Sequence, residues 1–259
     1  MNVFHYLRSL LPLELSVPQN LGKKLLTSAG YFRFRTRLAA KGAEVADLDL
    51  YRPLYAPWEG QAEFKRYYDR IRPHTLVSAE RCWILLHFLR HARALPGHFA
   101  EFGVFRGGTA LLAAEVLRDG NDRRPLHLFD SFAGMPETSA GEPFQKGDFA
   151  QTSEAAVRAL VSPSGANIIF HPGYMPDTFA NSDIRQLAYA HVDVDLYQSV
   201  LDCVEFIYPR LVPGGILIFD DYGFPSCSRA REAADRAFGS RREKPIYLPT
   251  GQAFVLKLA

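Results

Sequence analysis

From residue 98 onward the chain alternates short apolar runs with helix-like segments, and this alternation limits the available folds more than any other feature. The runs fall at 98–104, 125–131, 167–171, 189–195, 215–221, 245–248 and 253–258. Helices are predicted between them around 108–119, 152–161, 178–187, 197–211 and 227–238. Strands separated by helices need right-handed crossovers, so the pattern predicts an α/β fold built on a doubly wound, seven-stranded, mainly parallel sheet. Only Pro249-Thr250-Gly251-Gln252 separates the last two runs, a hairpin-sized gap. The final strand is therefore expected to run antiparallel, at or near the sheet edge. In such sheets ligands bind beyond the carboxyl ends of the strands, so the chemistry is sought there.

Upstream, the order is lost. Pro12, Pro18, Pro53, Pro57 and Pro73 break the first part of the chain into short pieces. A long amphipathic helix is predicted over 75–95, with Trp83, Leu86, Phe88 and Leu89 available for its buried side. The expected organisation is a helical or irregular extension over 1–72, serving as a lid or as oligomer contacts, followed by one domain over 73–259. Within the extension, Tyr31-Phe32-Arg33-Phe34-Arg35-Thr36-Arg37 interleaves aromatic and basic residues. A half-exposed strand or helix edge explains it better than an anion-binding stripe.

Composition excludes several classes. Lys plus Arg (30) against Asp plus Glu (28) leaves a net charge of +2, which gives no electrostatic reason to invoke nucleic acid. No stretch approaches the ~18 apolar residues of a membrane span. The Leu-rich start is interrupted by Arg8, Pro12 and Glu14 and lacks the apolar core of a signal peptide. It reads as a packing helix, ahead of an amphipathic helix touching a membrane. Cys82, Cys203 and Cys227 are odd in number and lack metal spacing, which argues against a disulfide framework or zinc site. A cytoplasmic location is the expectation.

The first strand runs into Glu101-Phe-Gly103-Val-Phe105-Arg-Gly107-Gly108-Thr109. Glycines there let the backbone turn sharply near a ligand at the next helix start. A dinucleotide fold wants GxGxxG, whereas this is ExGxxxGG. An acid at the head of the motif repels phosphate and can pair with an ammonium group, which favours a cofactor carrying an amino acid over a nicotinamide one. The second strand ends Leu128-Phe129-Asp130-Ser131-Phe132. Asp130 is placed either to accept ribose hydroxyls or to cap a loop.

The strongest signal is His191-Val192-Asp193-Val194-Asp195-Leu196-Tyr197 at one strand end and Asp220-Asp221-Tyr222 at the next. Carboxylates gathered at consecutive strand tips repel one another unless a hard divalent cation such as Mg²⁺ is held among them. On a regular strand Asp193 and Asp195 point to the same side, one for a metal and one for a substrate hydroxyl. His191 is read as a packed or hydrogen-bonded strand residue.

The run HVDVDLYQSVLDCVEFIYPRLVPGGILIFDDYG, with AEFGVFRGG and LFDSFAGMPE upstream, resembles the macrocin O-methyltransferase (TylF) family. GDFAQTSEAAVRAL and HPGYMPDTF follow the same order and spacing, so the resemblance covers roughly 73–258. It implies the Rossmann-like class I methyltransferase fold and an S-adenosylmethionine- and Mg²⁺-dependent O-methyltransferase acting on sugar hydroxyls of natural products. By position it implies Asp193, Asp220 and Asp221 as ligands of Mg²⁺ or Mn²⁺, and Asp195 with Asp193 as the catalytic pair, Asp195 being the general base. Thr75, Glu101, Gly103, Phe105 and Gly107 are implied around the methionine part of the cofactor. Asp130, Ser131 and Phe132 are implied at the ribose, Tyr174 beside the adenine, and Asp193 at the cofactor's edge. Phe105 stands where the family usually has Trp, and Val194 where it usually has Gly.

A catechol-type methyltransferase acting on an aromatic vicinal diol needs the same metal ligands and stays open. A non-catalytic cofactor-binding protein is the reading from another class. The expected partner is a small hydroxylated acceptor, sugar-containing in the family's pattern, with the early aromatic-rich segment offering a surface for a homo-oligomer. Residues 1–72 and the loop 134–148 are the candidates for the acceptor pocket.

Overall fold

The computed structural model describes residues 56–139 and 141–259. The Leu-rich start, the aromatic and basic run at 31–37 and most of the expected extension lie outside them. Two helices, α1 (Pro57–Gly60) and α2 (Ala62–Ile71), lead through a 3₁₀ turn to α3 (Ala79–Ala92). Then come β1 (His98–Phe102), α4 (Gly108–Asp119), β2 (Leu126–Asp130), α5 (Glu154–Val161), β3 (Ile168–Pro172) and β4 (Leu187–Val192). The chain closes with α6 (Tyr197–Ile207), β5 (Leu211–Phe219), α7 (Ser228–Phe238), β6 (Ile246–Tyr247) and β7 (Ala253–Leu256).

The strand order is β3-β2-β1-β4-β5-β7-β6, parallel through β5, with β7 antiparallel to β5 and to β6. The chain leaves β1 for one half of the sheet and returns at β4 to begin the other. A crevice must open at that reversal, between the carboxyl ends of β1 and β4. The last strand is antiparallel as expected, with β6 rather than β7 forming the rim.

Helices cover both faces, so the strands are apolar on both sides. On β5, Ile216 and Ile218 join the core with α2, α3 and α4, while Leu217 and Phe219 face α6 and α7. Phe64, Tyr67 and Ile71 of α2 share a core with Phe99 of β1, so the packed body extends upstream of residue 73. Helix α4 is rich in Ala and Leu, strong helix formers, and is buried from Gly108 to Leu117. Cys82, Cys203 and Cys227 are free and buried, in line with the absence of a disulfide framework.

Three elements depart from the sequence pattern. The helix expected over 75–95 starts only at Ala79, because Thr75 is extended and its hydroxyl accepts the Val77 N–H at 3.0 Å, a local bond that competes with helix. The helix expected over 178–187 is a 3₁₀ turn, Asp177–Asn181, followed by extended chain in which Ser182 accepts the Ile184 N–H at 3.2 Å. Finally, β4 ends at Val192, and Asp195 adopts a left-handed φ of 57°. Strand alternation therefore does not place Asp193 and Asp195 on one side. The bend does.

Candidate active site

A cavity of about 210 Å³ opens at the topological reversal. Its floor is the turn after β1. Gly103 has φ +85°, and a Cβ there would lie 1.9 Å from the Asp193 carbonyl oxygen, so β1 and β4 can converge only over a glycine. Gly107 and Gly108 serve packing instead. A Cβ on Gly107 would meet Val157 at 2.8 Å, and one on Gly108 would meet Thr75 at 2.7 Å. Of this turn, Gly103, Val104, Phe105 and Thr109 line the cavity.

Glu101 lies behind that wall. It is 2% exposed, accepts a bond from the Thr109 hydroxyl, and stands 3.6 Å from His191 Nδ1. Its carboxylate is engaged within the protein, by the Thr109 hydroxyl and beside His191. Asp130 lines the cavity but is heavily engaged. Its Oδ2 accepts the N–H groups of Val104 (2.6 Å) and Phe105 (2.9 Å), and its Oδ1 that of Phe132 (2.6 Å). The loop-capping role is therefore realised, and it stitches the end of β2 to the turn after β1. Ser131 closes the next turn, its hydroxyl donating to the Gly134 carbonyl at 2.8 Å. Phe132 packs against Phe170 away from the cavity, whereas Thr75 and the 40%-exposed Tyr174 stand on its wall.

The loop 134–148 contributes Gly134, Met135 and Pro136 to the rim. Its two limbs are paired, Met135 N–H to Asp148 O (2.8 Å) and Gly147 N–H to Met135 O (3.0 Å). Glu142 of the loop accepts the Tyr197 N–H at 3.1 Å, capping α6, whose own preceding residue, Leu196, has no capping side chain.

The acids behave differently from one another. Asp193, Asp195 and Asp221 line the cavity. Asp220 is fully buried beneath them, paired with Arg81 through Oδ2 and accepting from Gln252 Nε2 (2.8 Å) and His191 Nε2 (3.3 Å) through Oδ1. Burial alone would raise its pKa, but the His191 hydrogen bond and the charges of His191 and Arg81 outweigh that and hold it below the usual carboxylate value. His191, buried in the strand as expected, would lose its proton to burial, yet its bonds to Asp220 and Glu101 carry its pKa up to about 10. Asp193 is pushed well above the ordinary value by burial and then by the charges of Asp220 and Asp221. Asp221 is raised likewise, by burial and by Asp195 and Asp220. Asp195 rises to about 7 through burial and the Asp193 charge.

Acidic groups here outnumber the cations Arg81 and His191, and the unpaired ones, Asp193, Asp195 and Asp221, face the cavity, where burial and mutual repulsion disfavour their ionised forms. Ligand atoms of His191, Asp193 and Asp220 lie within 4.8 Å of one another, as do those of Asp195, Asp221 and Cys227. An oxygen-rich, under-neutralised cluster is the donor set a hard divalent cation takes. Sequence reasoning missed Arg81, Gln252 and Cys227. Arg81 carries no motif, and its partner is 139 residues away.

Among known proteins, the family model described as Macrocin-O-methyltransferase (TylF) matches residues 71–238. An 8-demethyl-8-(2,3-dimethoxy-alpha-L-rhamnosyl)-tetracenomycin-C 4'-O-methyltransferase of Streptomyces olivaceus is 33% identical over 171 residues, 61% of this chain and 66% of that one. The mycinamicin III 3''-O-methyltransferase of Micromonospora griseorubida is 33% identical over 180 residues, 63% of this chain and 71% of that one. The chain thus spans about two thirds of the length of these relatives. The structure of the O-methyltransferase NovP superposes with a TM-score of 0.65 at 27% identity, covering 72% of this chain and 83% of that one.

Proposed function

The chain belongs to the macrocin-O-methyltransferase (TylF) family, and we propose on that premise that it methylates a hydroxyl of a sugar or glycosylated natural product, using S-adenosylmethionine and a divalent cation, Mg²⁺ or Mn²⁺. The observation that carries the reading is the meeting of Asp193, Asp195 and Asp221 with the glycine turn after β1 in one cavity. The relatives' names, which specify methylation of glycosylated compounds, support the sugar acceptor over a catechol.

Asp193, Asp220 and Asp221 would hold the cation; the acidity left unpaired for it is that of Asp193 and Asp221 at the cavity, while Asp220 beneath them is already paired with Arg81 and His191. When bound, such a cation stabilises the alkoxide of a coordinated hydroxyl, and S-adenosylmethionine supplies an electrophilic methyl group. The chain's own work is alignment and proton removal. Asp195 takes the acceptor hydroxyl proton as general base, a role worth ~10²–10⁴-fold. His191, and then Arg81, keep Asp220 ionised beneath the acids of the cavity. Thr75, Gly103, Phe105, Ser131 and Tyr174 are assigned to the cofactor from the cavity wall. Glu101, Gly107 and Phe132 act from behind it by shaping the turns, and Asp130 does so while offering its remaining lone pair. The loop 134–148, which lends Gly134, Met135 and Pro136 to the cavity, is assigned to the acceptor side.

The test is calorimetric titration with S-adenosylmethionine, followed by turnover of methyl α-L-rhamnoside, 4-nitrophenyl glycosides and 4-methylcatechol with Mg²⁺ or EDTA. Micromolar binding with EDTA-sensitive methylation of a glycoside is expected. Absence of cofactor binding sinks the reading, a catechol preference overturns the acceptor class, and EDTA-insensitive turnover removes the cation.

A further inference from the structure

We propose that Cys227 is a positioning residue for Asp195, its thiol fixing the carboxylate so that one oxygen is left to meet the acceptor hydroxyl; the kinetic part of this rests on Asp195 acting as general base. Asp195 lies past the end of β4, with a left-handed φ of 57°, where no ladder constrains its side chain. Its backbone is pinned by two buried apolar neighbours, Val194 and Leu196. The side chain turns about two bonds, and its acidic neighbours pull it in opposite senses, Asp221 by a hydrogen bond and Asp193 by charge repulsion, so neither alone sets which oxygen meets the cavity.

Cys227 supplies a restraint from outside the acid cluster. It comes from the turn Pro225–Cys227 after β5, and its Sγ donates to Asp195 Oδ1 at 3.3 Å. The turn itself is firm, since the Cys227 N–H bonds the Phe224 carbonyl at 3.0 Å and the residue is 4% exposed. With Oδ1 engaged from the α7 side, Oδ2 is the oxygen available to a substrate. A thiol suits this place because it donates weakly and leaves the carboxylate its basicity.

The direct test is the infrared S–H stretching band. In the difference spectrum of Asp195→Ala minus wild type, Cys82 and Cys203 cancel, and the Cys227 band is expected to move to higher frequency as its acceptor is lost. A flat difference spectrum overturns the contact without any reference to activity. Kinetics then read its use, with the glycoside that the panel above turns over. Cys227→Ala is expected to lower kcat about tenfold while KM for cofactor and acceptor stays within about twofold, and Cys227→Ser, which restores a donor, recovers most of the loss. Unchanged kcat in Cys227→Ala, or equal loss in Cys227→Ala and Cys227→Ser, overturns the positioning role. A shifted band with no turnover by wild type leaves the contact standing and removes the methyl-transfer reading instead.

Discussion

At the residue scale, the site is made by positions whose roles differ from what their type suggests. Gly103 is required by the 1.9 Å approach of a Cβ to Asp193 O, a backbone atom that cannot move without parting β1 from β4. Gly165, also at positive φ, has nothing within 4 Å of its Cβ position. Gly103→Ala is therefore expected to cost about 3 kcal/mol or more in urea unfolding, and Gly165→Ala only about 1 kcal/mol, the backbone cost alone. Equal losses would refute the close approach as the reason. Asp195 gives the functional counterpart. Asp195→Asn keeps the shape and removes the basic oxygen, so cofactor affinity by calorimetry should be unchanged while kcat falls ~10²-fold or more. A near wild-type rate would strip Asp195 of the general-base role.

At the level of elements, β1, β2 and β3 carry a row of imidazoles, His98 half-buried and His127 and His171 buried. His98 Nδ1 and His127 Nε2 are 2.9 Å apart, and His127 Nδ1 and His171 Nε2 are 2.9 Å apart, the rings stacking at 5.1 and 5.2 Å. Burial, then the charges of His171 and His98, lowers the His127 pKa to about 4, against the opposing pull of Asp183. The folded chain thus keeps His127 neutral while the unfolded chain takes up a proton near pH 6.5. Stability from this group is full above pH 6.5 and falls by about 1.4 kcal/mol per unit as pH drops towards 4. Guanidinium unfolding of wild type and His127→Asn at pH 7 and pH 5 should show the larger loss in wild type, and equal losses would remove the row from the acid response. These strands were legible in the sequence because parallel strands buried on both faces leave unbroken apolar runs. The acids at their tips were legible for the same reason, being polar residues at fixed offsets from such runs. The 178–187 segment was misread because helical periodicity is blind to the short-range Ser182 bond. Arg81, Gln252 and Cys227 were hidden because their partners lie 139, 32 and 32 residues away, where only the fold decides who meets whom.

For the whole molecule, the two halves of the sheet meet where the charge is least balanced. Asp221 lies two residues past β5, the strand that carries the core residues Ile216 to Phe219, yet burial and its acidic neighbours disfavour its ionised form. A fold that holds such a group has given up stability at its centre for the sake of what the cavity takes up. Removing that charge while keeping the shape should therefore stabilise the protein in EDTA, and Asp221→Asn is expected to raise Tm there by several degrees, equivalent to about 1 kcal/mol. Wild type should recover the difference when Mn²⁺ is added, since a ligand bound only by the folded state stabilises it in proportion to RT ln(1 + [L]/Kd). In Asp221→Asn the same addition should raise Tm much less, because one of the oxygen donors has lost its charge. Paired melts of the two proteins, with EDTA and with Mn²⁺, therefore test whether charge frustration and cation uptake share one origin. A variant that melts lower than wild type in EDTA would mean that Asp221 contributes hydrogen bonds worth more than its repulsion costs, and the surplus charge would then be compensated within the fold rather than by a cation.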